Sequence, residues 1–115
     1  MATGLVFAMA LAGSAALGPP TPGDFAPSEN LACRKNNPPD YPRKLSRAGI
    51  GGQALVMVTV DEEGSVQGVR IHESSGHPTL DVEAMRAVLR WCYWPGREGE
   101  RTYGGDILVP IRFTP

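Results

Sequence analysis

Two cysteines, two histidines and an adjacent pair of serines are the residues of this chain whose types suggest chemistry. Cys33 and Cys92 are far apart in sequence and lack the C-x-x-C spacing of a dithiol redox site. His72 and His77, with Glu73 and Asp81 nearby, match no established metal-ligand spacing, and no third ligand stands out. Surface histidines are the expectation. Ser74 and Ser75 have neither a nucleophile elbow nor a paired base around them, so they read as turn residues. Gly51-Gly52 and Gly104-Gly105 lack the strand-then-helix setting of a phosphate loop. Trp91, Tyr93 and Trp94 offer a stacking platform; core packing is expected for Trp91 and partial exposure for Trp94. No catalytic set, metal site or cofactor follows from these residues. The chain reads as a binding protein.

Composition narrows the partner. The net charge is −1 and the pI about 6.1, so the basic stripe that nucleic acid requires is missing. The first residues carry no charge, and Leu5 to Leu17 is apolar, with Ser14-Ala15-Ala16 as a small-residue cleavage site. This predicts a secretory signal over 1–16. A retained anchor is the rival, although Gly4 to Gly18 as a helix reaches only about 22 Å against a hydrocarbon core of about 30 Å. Membrane association is expected only if this segment is kept. Export places the chain in an oxidising compartment, where an even cysteine count predicts a Cys33–Cys92 disulfide. Two buried free thiols are the alternative. A lipid-attached Cys33 is excluded, because Asp24, Glu29 and Asn30 separate it from the apolar run.

Residues 17–40 hold Pro19, Pro20, Pro22, Pro27, Pro38 and Pro39 among polar spacers and are expected to form an extended tether. A domain over 41–115 follows. Pro42 suits the first turn of a short helix from Arg43 to Ala48, ended by Gly49. Period-two alternation then puts Ala54, Val56, Val58 and Val60 on one strand face and Leu55, Met57 and Thr59 on the other. Asp61-Glu62-Glu63-Gly64 is a hairpin turn. In the returning strand, Val66 joins Val69 and Ile71 only if Gly68 marks an irregularity. Pro78 and Thr79 open an amphipathic helix with Thr79 as N-cap, in which Leu80, Ala84, Val88 and Trp91 keep helical spacing and Met85, Leu89 and Cys92 support them. Arg97 to Arg101 is a charged loop. A last strand, Asp106 to Thr114, turns Ile107, Val109, Ile111 and Phe113 inward; Pro110 cannot donate to a ladder, which makes this an edge strand. The expected fold is α+β in two layers: a three-stranded antiparallel sheet packed against two helices.

These elements, in this order, resemble the C-terminal domain of TonB, the energy transducer of the Gram-negative envelope. The resemblance rests on Tyr41-Pro42, Ala48-Gly49, Gly51-Gly52, the Val56/Val58/Val60 alternation, Asp61 with Gly64, Ser74-Ser75-Gly76, Leu80-Asp81, Ala84, Trp91, Pro95 and Val109-Pro110-Ile111 with Phe113. It covers about two thirds of the chain. It implies a periplasmic binding domain whose edge strand pairs with an extended segment, the TonB box, of an outer-membrane receptor. On that reading Asp106, Leu108, Pro110 and Arg112 are the partner-binding residues, because alternate residues of an edge strand turn their backbone groups outward. An exposed edge invites homodimers as readily as peptide capture. Full transducers of this family carry an anchor helix with a histidine and a long Pro-rich spacer. Residues 4–18 contain no histidine and the tether is brief, so the expectation is a stand-alone module, with a non-energised envelope adaptor as the alternative.

Overall fold

The computed structural model describes residues 23–115. The signal or anchor expected over 1–16, and the first part of the tether, lie outside the described residues. Among the described residues no helix is long and apolar enough to cross a membrane.

In chain order the elements are β1 (Ser28–Asn30), α1 (Leu31–Asn36), α2 (Arg43–Arg47), β2 (Gly52–Val60), β3 (Val66–Glu73), α3 (Pro78–Val88), β4 (Cys92–Trp94), β5 (Gly96–Glu98), β6 (Arg101–Tyr103) and β7 (Gly105–Phe113). The main sheet is antiparallel and three-stranded, in the order β3-β2-β7. Two small two-stranded sheets, β1-β4 and β5-β6, flank it.

The alternation read from the sequence decides which face is covered. Ala54, Val56, Val58 and Val60 of β2 and Ile107, Val109, Ile111 and Phe113 of β7 are buried against Leu80, Ala84, Ala87 and Val88 of α3. Trp91 and Tyr93 close the same core. Leu45 of α2 and Tyr41 pack on it, the Tyr41 ring edge-on to Phe113 at 5.3 Å. Tyr41 also donates through its hydroxyl to the carbonyl of Ile50. Burial of this apolar set is the main driving force for the fold.

Turn chemistry agrees with the sequence at both hairpin and helix ends. Gly64 has φ +85°, and Asp61 Oδ1 accepts from the N–H groups of Glu63 and Ser65, both at 2.9 Å. Gly49, at φ +74°, ends α2, and the N–H of Ile50 donates back to the carbonyl of Leu45 at 2.9 Å. The register of β3 against β2 shifts between Thr59 and Val60, which pair with Gly68 and Val66. That irregularity lets Val66 face the core with Val69 and Ile71.

The structure departs from the sequence reading in four places. Residues 28–36, expected in an extended tether, form β1 and α1. The long helix stops at Val88 and not at Trp91, and Cys92 to Trp94 is a strand paired with β1. Leu89, expected to support the apolar helix face, is 60% exposed; nine residues from Leu80, it falls on the opposite side of the helix. The stretch from Arg97 to Arg101, expected as a charged loop, is the end of the β5-β6 hairpin: Arg97, Glu98 and Arg101 pair in its strands and only Gly99 and Glu100 form the turn. The helix N-cap is His77, with Pro78 at the first helical position, and not Thr79.

Candidate functional site

β7 is bonded to β2 along one side only, so its other side is an edge of the main sheet. Pro110 stands opposite Leu55 in the register. It has no N–H to give β2, so this is a non-hydrogen-bonded pair whose backbone groups turn away from the sheet. Residues of the same parity, Asp106, Leu108 and Arg112, present their N–H and C=O groups on that outer side. The outward turn is visible at Pro110 itself, whose carbonyl accepts from Arg34 Nη2 at 3.3 Å. β3 forms the opposite edge, but its register shift beside Gly68 interrupts a regular ladder there.

The side chains of the four predicted residues lie on the uncovered face. Leu108 is 46% exposed and faces Met57 across the register. Asp106 Oδ1 accepts from the Thr59 hydroxyl at 2.6 Å, and Arg112 Nη2 donates to Gln53 Oε1 at 2.8 Å. Arg70 is only loosely paired to Asp106, at 3.8 Å with both side chains half exposed, and adds little. These cross-strand bonds engage side chains only, and of the outward backbone groups the Pro110 carbonyl is the one met by Arg34. The arrangement suits main-chain pairing with an extended peptide.

Sequence reasoning missed what stands beside this edge. The segment from Asp24 to Asn36 is docked on the domain at several points. Phe25 bridges Arg97 through two backbone bonds of 3.0 and 2.7 Å, β1 pairs with β4, and Cys33 is disulfide-bonded to Cys92. Pro27 lies close to Gly105, the first residue of β7. Arg34 is held by both carboxylate oxygens of Glu29, at 2.9 and 2.8 Å, and its guanidinium carbon sits 4.3 Å from the centroid of the Trp91 ring. The Trp91 indole N–H donates to the carbonyl of Asn37 at 2.7 Å. The signal for this cluster was present in the predicted cystine: joining Cys33 to Cys92 necessarily brings Arg34 near Trp91.

The other chemistry-bearing residues form structural contacts. Asp81 Oδ1 accepts from the Ser75 N–H at 2.8 Å and the Ser75 hydroxyl at 2.7 Å, and the Ser74 hydroxyl donates to Oδ2. Burial pushes the Asp81 carboxyl up, but these hydrogen bonds and the nearby His77 outweigh it and hold the pKa below its ordinary value. The serines thus tie the corner after β3 to the first turn of α3. Burial, with the charge of Glu29, pushes the Tyr93 phenol well above its ordinary range; its hydroxyl donates to the carbonyl of Val88 at 2.6 Å. Among the described residues no group of three or more His, Cys, Asp and Glu could hold a metal ion. Trp91 is buried and Trp94 is 54% exposed, lining a shallow apolar depression with Phe25 and Ser28.

Comparison with known proteins gives this architecture its context. Residues 37–115 match the family described as Gram-negative bacterial TonB protein C-terminal. The chain is 37% identical over 87 residues to the tonB2 protein of Pseudomonas aeruginosa, covering 76% of this chain and 32% of that protein. It is 33% identical over 90 residues to the TonB protein of Xanthomonas campestris, covering 78% of this chain and 40% of the relative. The chain thus spans about a third of the length of the curated relatives it matches. A solution NMR structure of the Pseudomonas aeruginosa TonB C-terminal domain superposes with a TM-score of 0.56 at 26% identity, over 68% of this chain and 79% of that one. With the antiparallel three-stranded sheet, the helix beneath it and a family match over most of its length, this chain belongs to the TonB C-terminal family.

Proposed function

We propose that this chain is a periplasmic protein-binding module of TonB-dependent transport, without catalysis of its own. It captures an extended segment of an outer-membrane receptor by adding that segment as a strand to β7. The observation that carries this reading is the edge position of β7 in the β3-β2-β7 sheet. Leu108 and Arg112 supply outward N–H and C=O groups, Asp106 extends the row, and Pro110 interrupts it at one point. Main-chain hydrogen bonds give such a complex its affinity, and side-chain neighbours give it its register. The interruption lowers the tendency of the edge to pair with copies of itself.

The test is an NMR titration of the isotope-labelled chain, disulfide intact, with N-terminal segments of outer-membrane receptors from the same cell. Strand addition predicts saturable amide shifts at Asp106, Leu108 and Arg112, while Pro110 has no amide to observe. A flat titration at millimolar peptide, with the edge free of self-association, overturns the receptor reading. The chain is then better described as a non-energised envelope adaptor that binds other proteins of the compartment.

A further inference from the structure

The outer row of β7 donors has one gap, at Pro110, and one cationic side chain stands at that gap. Arg34 Nη2 donates to the Pro110 carbonyl at 3.3 Å while Nε and Nη2 are gripped by Glu29 at 2.9 and 2.8 Å. The Trp91 ring lies against the guanidinium at 4.3 Å, and the preceding residue, Cys33, is locked to Cys92. The Glu29 side chain is only 10% exposed, whereas that of Arg34 is 32% exposed. A surface arginine ordinarily loses much rotamer entropy on forming a contact. This one is already fixed by an ion pair, a ring and a covalent staple. A guanidinium carries five N–H donors, of which those on Nη1 have no protein partner among the described residues.

We propose that Arg34 is a recognition residue of the β7 edge, supplying to a backbone carbonyl of the added strand the donor that Pro110 lacks. The inference rests on the strand-addition reading given above. A strand laid along β7 meets a donor and an acceptor at Leu108 and again at Arg112. At Pro110 it meets an acceptor alone, and Arg34 already engages that acceptor. One carbonyl of the incoming strand would therefore be desolvated without an N–H, a costly omission. Nη1 of Arg34 belongs to the guanidinium that already reaches the Pro110 carbonyl, and a charged donor forms a stronger bond than the amide it replaces. Because Glu29, Trp91 and the cystine hold the guanidinium in place before binding, the contact forms with little further ordering. It also sets the register, since only one carbonyl of the partner can stand opposite the gap.

The test uses the full chain with its disulfide intact and a receptor segment that binds in the titration above. The segment is also made as a series with one backbone amide at a time replaced by an ester, which weakens the preceding carbonyl as an acceptor. Arg34→Met sets an unbranched apolar side chain against Trp91 and removes every donor. It is expected to raise Kd about tenfold, the loss appropriate to one hydrogen bond from a charged group. In the ester series, one position should weaken binding to the natural chain and have no effect on Arg34→Met. Arg34→Lys, which keeps the charge without the fork, serves if the Met variant fails to fold; its Kd should also rise, and the ester at that single position should weaken its binding less than that of the natural chain. Unchanged affinity in a folded variant overturns the proposal, as does a loss spread evenly over the ester series. Tighter binding by Arg34→Met overturns it in the other direction, making Arg34 a guard of the edge. A flat titration of the natural chain removes the parent reading and this one together; binding indifferent to Arg34 removes only this one.

Discussion

Asp81 shows how a residue that looks chemical in sequence becomes mechanical in the fold. Its carboxylate gathers two serine hydroxyls and a backbone N–H, and its pKa falls below the ordinary value of 3.8 despite burial. A carboxyl whose folded pKa is depressed contributes stability above its unfolded pKa, and that contribution is lost as pH falls through the folded value. Urea denaturation of the natural chain should therefore show stability declining below about pH 4. Asp81→Asn should be less stable at pH 7, by about 1 kcal/mol, with part of the acid decline missing. Parallel acid profiles for the two proteins would show that the carboxylate is not the group responsible. The serines were legible as turn residues. Their joint partner was not, because pairing the corner with the first turn of α3 depends on where the helix starts, and the structure starts it at Pro78 with His77 as its cap.

At the scale of elements, β7 and the helix before it behaved differently under sequence reading. β7 was legible because strict alternation and a proline leave few alternatives: inward Ile107, Val109, Ile111 and Phe113 fix the face, and Pro110 fixes the edge. Its openness has a consequence that can be measured. Pro110→Val restores the missing N–H and makes the outer row continuous. Sedimentation velocity should then show concentration-dependent dimers that the natural chain does not form at the same concentration. If both stay monomeric, the proline is not what keeps these edges apart. The helix boundary was illegible because periodicity continues through Val88, Trp91 and Cys92 after the backbone has left the helix. Arg90 and Trp91 donate to carbonyls three residues back, and the Tyr93 hydroxyl takes the carbonyl of Val88. Cys92 to Trp94 then pair with β1. That partner lies more than sixty positions upstream, about as far as Asn30 is from Cys92, and no local pattern announces it.

For the molecule as a whole, the cystine decides how much of the chain belongs to the domain. Cys33 and Cys92, with Cα atoms 5.6 Å apart and 59 positions between them in numbering, join the Asp24 to Asn36 segment to the layer beside β7. In the chain-entropy account, closing such a loop is worth about 4 kcal/mol. Replacing both cysteines by serine should lower the unfolding free energy by about 3–4 kcal/mol and the melting temperature by about 15–20 °C in calorimetry. A drop of only a degree or two would mean that the segment is held by the Phe25–Arg97 bridge and the β1-β4 ladder without covalent help.

The sequence by itself determined the three long strands, the inward face of each, the two main turns and the identity of the cysteine partners. Each of these follows from simple rules: side-chain period, glycine at positive φ, proline without a donor, and two cysteines with only each other to pair with. Only the tertiary structure decided that residues 28–36 fold back as β1 and α1, that the chain becomes strand again at Cys92, and that Arg34 stands at Pro110. Those features depend on contacts between segments distant in sequence. A proline-rich composition describes what a segment does when nothing covers it, and says nothing of a domain edge on which it can lie.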